Sequence, residues 1–263
     1  MIFDTHAHYD DEAFDGDRDL LLRQMTQNDV GGIVNVGASV RGMRESIALS
    51  EQYEIVYAGV GIHPDDIADL NDDLLQEMTD LAKREKTVCI GEIGLDYHWM
   101  IQPEEVQKEG FVRQLHLARE LDLPINVHSR DAAQDTFDII RSEHAHTTGG
   151  IIHCFSGSVE MAREYVKLGY YIGVGGVVTF KNSKTLKKVV QEIPLERIVT
   201  ETDCPYLAPS PFRGKRNDST RIRLVIDEIA SLRGLDPETA GEQLWKNARE
   251  VYRLNRKTGL SGR

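Results

Sequence analysis

Residues 124–154 read PINVHSRDAAQDTFDIIRSEHAHTTGGIIHC. A short β-branched run ends in His128, a longer amphipathic segment follows, and a second short apolar run ends in His153 and Cys154. Two strands joined through a helix must pair in parallel, because a parallel partner is reached only by a long crossover. The same alternation extends outward in both directions. Strand candidates lie at 2–6, 32–36, 55–62, 88–93, 124–128, 150–154, 170–174 and 197–203, eight in all. Among the helix candidates, 104–121 repeats Phe111, Leu115 and Ala118 at i, i+4 and i+7, and another sets Ile222, Val225, Ile226 and Ile229 on one face. After Gly234, Asp236 is a natural N-cap, Pro237 suits the first helical position, and Ala240, Leu244, Ala248 and Val251 form a stripe for burial. Past Tyr252 the chain turns polar and is expected to fray.

Eight such units in about 250 residues predict an α/β fold, a closed (β/α)8 TIM barrel with an extra C-terminal helix. No linker, repeat or shift of composition interrupts 1–263, so one domain is expected. An open doubly wound sheet is the alternative, but its Gly-rich phosphate loop after the first strand is missing.

Of the 263 residues, 40% are apolar and 28% charged, which excludes disordered, collagen-like and low-complexity chains. No run approaches the ~20 apolar residues of a spanning helix, and mean hydropathy is −0.38. The start, Met1-Ile2-Phe3-Asp4-Thr5-His6, lacks the pattern of a secretion signal, so the cytosol is the expected compartment. A net charge of −12 argues against coating duplex DNA, where each phosphate contact needs a cation. It leaves room for an enzyme that grips a few phosphates through metal ions and a local basic patch. Cys89, Cys154 and Cys204 are odd in number and form no CxxC pair, against a disulfide framework or a zinc ribbon.

His6-Ala7-His8 closes the first strand, and residues i and i+2 of a strand point the same way, so both imidazoles can converge on one ion. His144-Ala145-His146 has the same spacing but precedes the sixth strand, on the barrel's bottom face, and reads as surface histidines. Barrel sites are built at the C-terminal ends of strands. Glu92, His128, His153 and Asp203 share that position on strands four, five, six and eight. With His6 and His8 they make six N and O donors, more than one tetrahedral zinc needs and enough for two ions sharing a bridging carboxylate. Glu92 is the expected bridge, since a carboxylate can give one oxygen to each ion and an imidazole cannot. Ions roughly 3.5–4 Å apart would bind an attacking water and the substrate oxygens together, with Asp203 as ligand, proton acceptor or both. Odd offsets from these ligands place the three cysteines on the helix-facing side, as small core residues.

The joint pattern of Asp4-Thr5-His6-Ala7-His8, Gly61-Ile62-His63-Pro64, Gly91-Glu92-Ile93-Gly94-Leu95-Asp96, Val127-His128-Ser129-Arg130, His153-Cys154-Phe155-Ser156-Gly157 and Glu201-Thr202-Asp203 resembles the TatD family of metal-dependent deoxyribonucleases, in order from about residue 1 to 252. Through the HxH strand the chain is also similar to the wider amidohydrolase superfamily, but Glu92 stands where other members carry a carbamylated lysine. The resemblance implies two or three divalent ions at His6, His8, Glu92, His128, His153 and Asp203. It implies 3′-5′ exonuclease hydrolysis of phosphodiester bonds with Mg²⁺ or Mn²⁺, and DNA with single-stranded 3′ ends as partner. Zn²⁺ would also bind such a site tightly. His63 matches the family's third-strand histidine and is read here as a phosphate contact, with a loop anchor before Pro64 as the other reading. Arg130, Arg213, Lys215 and Arg216 are the candidates to hold flanking phosphates, whereas Lys181, Lys184, Lys187 and Lys188 read as an exposed helix face. Trp99 and Tyr97 are expected to pack rather than stack on a base. The chain departs from the family at Asp218-Ser219, where Glu-Pro is common. A monomer with no membrane contact and no obligate protein partner is expected. Fold and metals alone do not choose the bond, so hydrolysis of a lactone, a cyclic amide or an aminoacyl-tRNA ester stands as the rival chemistry. A metal-dependent scaffold without catalysis is disfavoured, because all six ligands are retained.

Overall fold

The computed structural model describes residues 1–254. Eight parallel strands follow one another around a nearly closed barrel: β1 (Ile2–Ala7), β2 (Val30–Val36), β3 (Val56–Val60), β4 (Thr87–Asp96), β5 (Ile125–Arg130), β6 (Gly150–Ile152), β7 (Tyr171–Val174) and β8 (Ile198–Thr200). They lie where the alternating sequence places them, with moved ends. The expected fraying beyond Tyr252 falls mostly outside the described residues.

The helices between them are α1 (Arg18–Gln24), α2 (Val40–Gln52), α3 (Asp72–Ala82), α4 (Glu104–Glu120), α5 (Ala133–Ser142), α6 (Val159–Lys167), α7 (Lys184–Glu192) and α8 (Ile222–Arg233). Side-chain caps start several of them: Ser39 accepts from Gly42 N, Asn71 from Leu74 N and Ser158 from Met161 N. Gly234, in the left-handed region at φ 67°, ends α8. Asp218 caps the short turn before α8, and Ser219 donates through Oγ to Asp4 Oδ2 at 2.7 Å and through N to Tyr9 Oη at 2.9 Å. A proline at 219 would have no N–H for the second bond. Lys187 and Lys188 of α7 pair with Glu228 and Glu192, as suits a solvated face.

Outward-facing strand residues such as Ile33, Val60, Ile125, Val127 and Ile172 join the helices in the main core. A second cluster fills the barrel's lower interior: Phe3, Val34, Val36, Cys89, Ile151, Tyr171 and Val199. Its floor is the extra helix α9 (Pro237–Val251), capped by Asp236, with Ala248, Val251 and the following Tyr252 facing upward. The Tyr252 hydroxyl donates to Thr5 O at 2.7 Å and accepts from Asn126 Nδ2 at 3.1 Å, so the floor reaches the first strand of the site.

Cys89 corrects the expectation that all three cysteines face the helices. β4 pairs Ile90 with Ile125 and Ile93 with Val127, so three steps on one strand match two on the other. The extra residue reverses the side-chain alternation, so Cys89 and Glu92, three apart, both face the interior. Cys204 is a core residue as expected.

β4 and β3 touch backbone to backbone at this irregularity. A Cβ built on Gly61 would lie 2.6 Å from Gly91 C and 2.9 Å from Glu92 N. Gly61→Ala is therefore expected to shift Glu92, with a loss of about 1–3 kcal/mol in a denaturant titration and weaker ion binding.

Candidate metal centre

The donors reach the C-terminal mouth of the barrel from the ends of strands or the loops just after them, two of them from β1. His6 lies within β1 and His8 just beyond it, Glu92 within β4 and His128 within β5. His153 and Asp203 lie past the short β6 and β8, His153 N still donating to Val127 O at 2.9 Å and Asp203 N to His6 O at 3.0 Å. His63 follows β3. The structure thus brings together all six expected ligands and His63.

Glu92 stands at the middle, nearly fully buried. Its Oε2 lies 3.6 Å from His6 Nε2 and 3.5 Å from His8 Nε2. Its Oε1 lies 2.9 Å from His128 Nδ1, 3.6 Å from His153 Nε2 and 3.9 Å from His63 Nε2. Asp203 Oδ1 completes the first side, 3.4 Å from His8 and 3.8 Å from His6. The donors accordingly gather in groups within 4.8 Å, with His6, His8 and Asp203 in one and His63, Glu92 and His128 in another.

A chain of hydrogen bonds below the centre sets the protons of His6. Asn126 spends its amide donors on Thr5 O and the Tyr252 hydroxyl, so its Oδ1 accepts from His6 Nδ1 at 2.8 Å. The lone pair of His6 Nε2 then faces inward, 2.9 Å from His8 Nε2. His153 is placed similarly but more loosely, with Nδ1 3.4 Å from Glu201 Oε1, within ion-pair range but without a hydrogen bond, and Nε2 toward Glu92. Asp96 Oδ2 meets His128 Nε2 at 3.1 Å. Such partners on the outer nitrogen orient metal-ligating imidazoles. The sequence reading missed all three. Asn126 and Glu201 were within reach, each standing two residues before a ligand.

His63 differs. Its Nδ1 accepts from Asp65 N at 3.2 Å, so the proton of the neutral ring sits on Nε2, which donates rather than ligates. Burial pushes its pKa down to about 4, which keeps it neutral near pH 7. That chemistry suits the expected phosphate contact.

Burial alone would raise Glu92 and Asp203, but the surrounding imidazoles outweigh it and hold both below the usual carboxylate range. Burial would likewise lower His8 and His128; the Asp203 and Glu92 carboxylates raise His8 to about 10, and Asp96 and Glu92 raise His128 to about 9. A cluster that gathers protons around two buried carboxylates is one that accepts divalent cations in their place. The donor set, all N and O with one two-sided carboxylate, fits divalent ions.

Cys154 overturns its expected outward placement. At φ 45° the chain leaves the sheet, and the thiol joins His153 and Asp203 in one donor group. Burial pushes its pKa well up, so it is a thiol at neutral pH.

The expected phosphate cations divide. Arg130 lies exposed with its guanidinium 5.4 Å from the Trp99 ring centroid. Arg213 stacks on Phe180, and with Lys215, Tyr206 and Leu207 it lines a cavity of about 620 Å³ beyond Asp203. Arg216 lines the same cavity, but its guanidinium forks onto Asp17 at 2.6 and 2.7 Å and bonds Ala13 O, which holds it to the protein. His144 and His146 flank the turn below β6, away from the centre.

A parallel barrel carrying histidines and carboxylates on its C-terminal rim defines a metal-dependent hydrolase. Residues 3–253 match the family described as TatD related DNase. The chain is 43% identical to the uncharacterized metal-dependent hydrolase YabD of Bacillus subtilis, over 97% of this chain and 100% of that one. It is 34% identical to the uncharacterized metal-dependent hydrolase YcfH of Escherichia coli, over 97% of each. The crystal structure of YjjV, a TatD homologue from Escherichia coli, superposes with a TM-score of 0.89 at 31% identity, covering 96% of this chain and 98% of that one. The chain belongs to the TatD family.

Asn126→Ala frees the His6 tautomer and is expected to weaken ion affinity about 10- to 100-fold, read by competition against a chelating dye. Ion loading must also expel protons from His8 and His128. Affinity is therefore expected to rise with pH until His128 and then His8 have lost their protons, near 9 and 10, and calorimetry in buffers of different ionisation enthalpy should show proton release.

Proposed function

We propose that this hydrolase is a deoxyribonuclease that shortens single-stranded DNA from its 3′ end. The observation that carries the reading is Glu92, with Oε2 turned to His6 and His8 and Oε1 to His128, His153 and His63, at a mouth edged by Arg130, Arg213 and Lys215. Two divalent ions, Mg²⁺ or Mn²⁺, held by His6, His8, Glu92, His128, His153 and Asp203, would lower the pKa of water and neutralise charge on a phosphoryl group.

The chain's own groups do the rest. Asp203, at the centre and kept ionised by its histidines, takes the proton of the attacking water. His63 donates from Nε2 to a phosphoryl oxygen. Arg130 and the pair Arg213 and Lys215 are the charge-assisted donors to phosphates of the strand. Arg216 is left out of this set, because Asp17 already engages it. The three free cysteines suit a reducing cytosol, where we place the protein, as a monomer. No helix among the described residues is long and apolar enough to cross a membrane.

The test is digestion of a 5′-labelled single-stranded oligonucleotide with Mg²⁺ or Mn²⁺, beside EDTA and Glu92→Ala controls. A ladder that shortens from the 3′ end and vanishes in both controls is expected, and Arg130→Ala should chiefly raise KM. Failure of folded, metal-loaded protein to cut DNA, with turnover of a lactone or an aminoacyl ester, would shift the reading to the rival hydrolase.

A further inference from the structure

Beside the mouth, the chain after β4 holds three large apolar side chains in water: Trp99 is 60% exposed, Met100 43% and Ile101 59%. The expectation that Trp99 packs into the protein is thus overturned. Its ring neighbours are His98, edge-on at 4.8 Å, and the Arg130 guanidinium at 5.4 Å.

This loop is built. Asp96 Oδ1 accepts from His98 N at 2.9 Å and Trp99 N at 3.0 Å, while Oδ2 meets His128 Nε2 at 3.1 Å. One carboxylate therefore references the indole's backbone to a histidine of the centre. Gln107 clamps Asp96 N and O at 2.8 and 2.9 Å, and the Tyr97 hydroxyl is tied to Asp135 at 2.8 Å. Arg130 follows His128 by two residues and pairs in register with Asp96. Among the described residues, no carboxylate lies in ion-pair range of its guanidinium, in a chain of net charge −12.

Resting on the nuclease reading above, we propose that Trp99 and Arg130 form a nucleotide subsite of the single strand, with the indole stacking on a base and the guanidinium holding its phosphate. Every nucleobase offers a π-face, so the stack needs no particular sequence. An unpaired cation beside the indole selects a phosphate-bearing strand over an uncharged apolar partner. The subsite lies on the β4–β5 side of the centre, and the Arg213–Lys215 cavity lies beyond β8. A strand seated in both crosses the centre, with its 3′-terminal nucleotide on one side of the scissile bond and the rest of the strand on the other.

The chain has two tryptophans, and Trp245 packs on Phe3 at the barrel floor, ring centroids 5.6 Å apart. A Trp245→Phe background therefore isolates the Trp99 fluorescence. With Mg²⁺, a hydrolysis-resistant phosphorothioate thymidine octamer is expected to quench it, and an abasic octamer of equal charge to do so poorly. In cleavage assays Trp99→Ala should raise KM about 5- to 150-fold, the size of one base stack, and Trp99→Phe should recover most of the loss. Equal quenching by both octamers, or an unchanged KM in an enzyme that cuts DNA, overturns the subsite and leaves the nuclease reading standing. Neither cutting nor quenching overturns both.

Discussion

A carboxylate buried among imidazoles is the constraint around which this barrel is arranged. An ionised glutamate out of water costs several kcal/mol unless opposite charge or hydrogen bonds compensate, and Glu92 obtains that compensation on both oxygens. To face inward it needs the extra residue in β4, and that irregularity brings the backbones of Gly61 and Gly91 together. Glu92 N donates to Gly37 O at 2.9 Å, which ties the same peptide to the end of β2. The imidazoles in turn need fixed rings, which Asn126, Glu201 and Asp96 supply from outside the ligand set. The floor helix, through Tyr252 and Asn126, is part of this support. A helix that looks like an appendage in the chain order thereby reaches the proton of a ligand.

Much of this was legible in the residues. Alternation of short apolar runs with amphipathic stretches is the direct signature of parallel strands and crossover helices, and it located all eight strands. His6-Ala7-His8 was separable from His144-Ala145-His146 because strand ends and strand beginnings lie on opposite faces of a barrel. What alternation could not reveal is where it breaks. Cys89 was misplaced because a parity argument assumes an unbroken strand, and the interruption at 90–93 is invisible without the register of β5. Cys154 was misplaced because β6 ends at Ile152 and the next residues are not a strand at all. Asp96 escaped because its value lies in which two groups it bonds at once. Arg216 read as a free cation because nothing in the chain order places Asp17 beside it.

The acidity of the molecule and the cations at its mouth are reconciled by distance. At physiological salt a charge is screened within about 8 Å, so the overall surplus of carboxylates repels a polyanion weakly once a few local contacts form. Arg130, Arg213 and Lys215 stand where such contacts count, while cations elsewhere, such as Arg23 and Arg44, face Asp19 and Glu77. Cations away from the mouth are thus paired within a surface that keeps its surplus of carboxylates, and those beside the mouth are left open-handed.

The barrel closes less firmly than it runs. β8 joins β1 through one bridge, Ala7 with Cys204, and a few bonds such as His8 N to Cys204 O at 2.9 Å. His6 and His8 stand on one bank of that seam and Asp203 on the other, nearly two hundred positions later in the chain. A cation gripped by all three is a clasp that makes a ring of an otherwise linear order of strands. A ligand bound only by the clasped form, at a hundred times its Kd, adds about 2.7 kcal/mol to that form. An ion bound there would therefore serve as a keystone as well as a reagent, tying the first strand to the last.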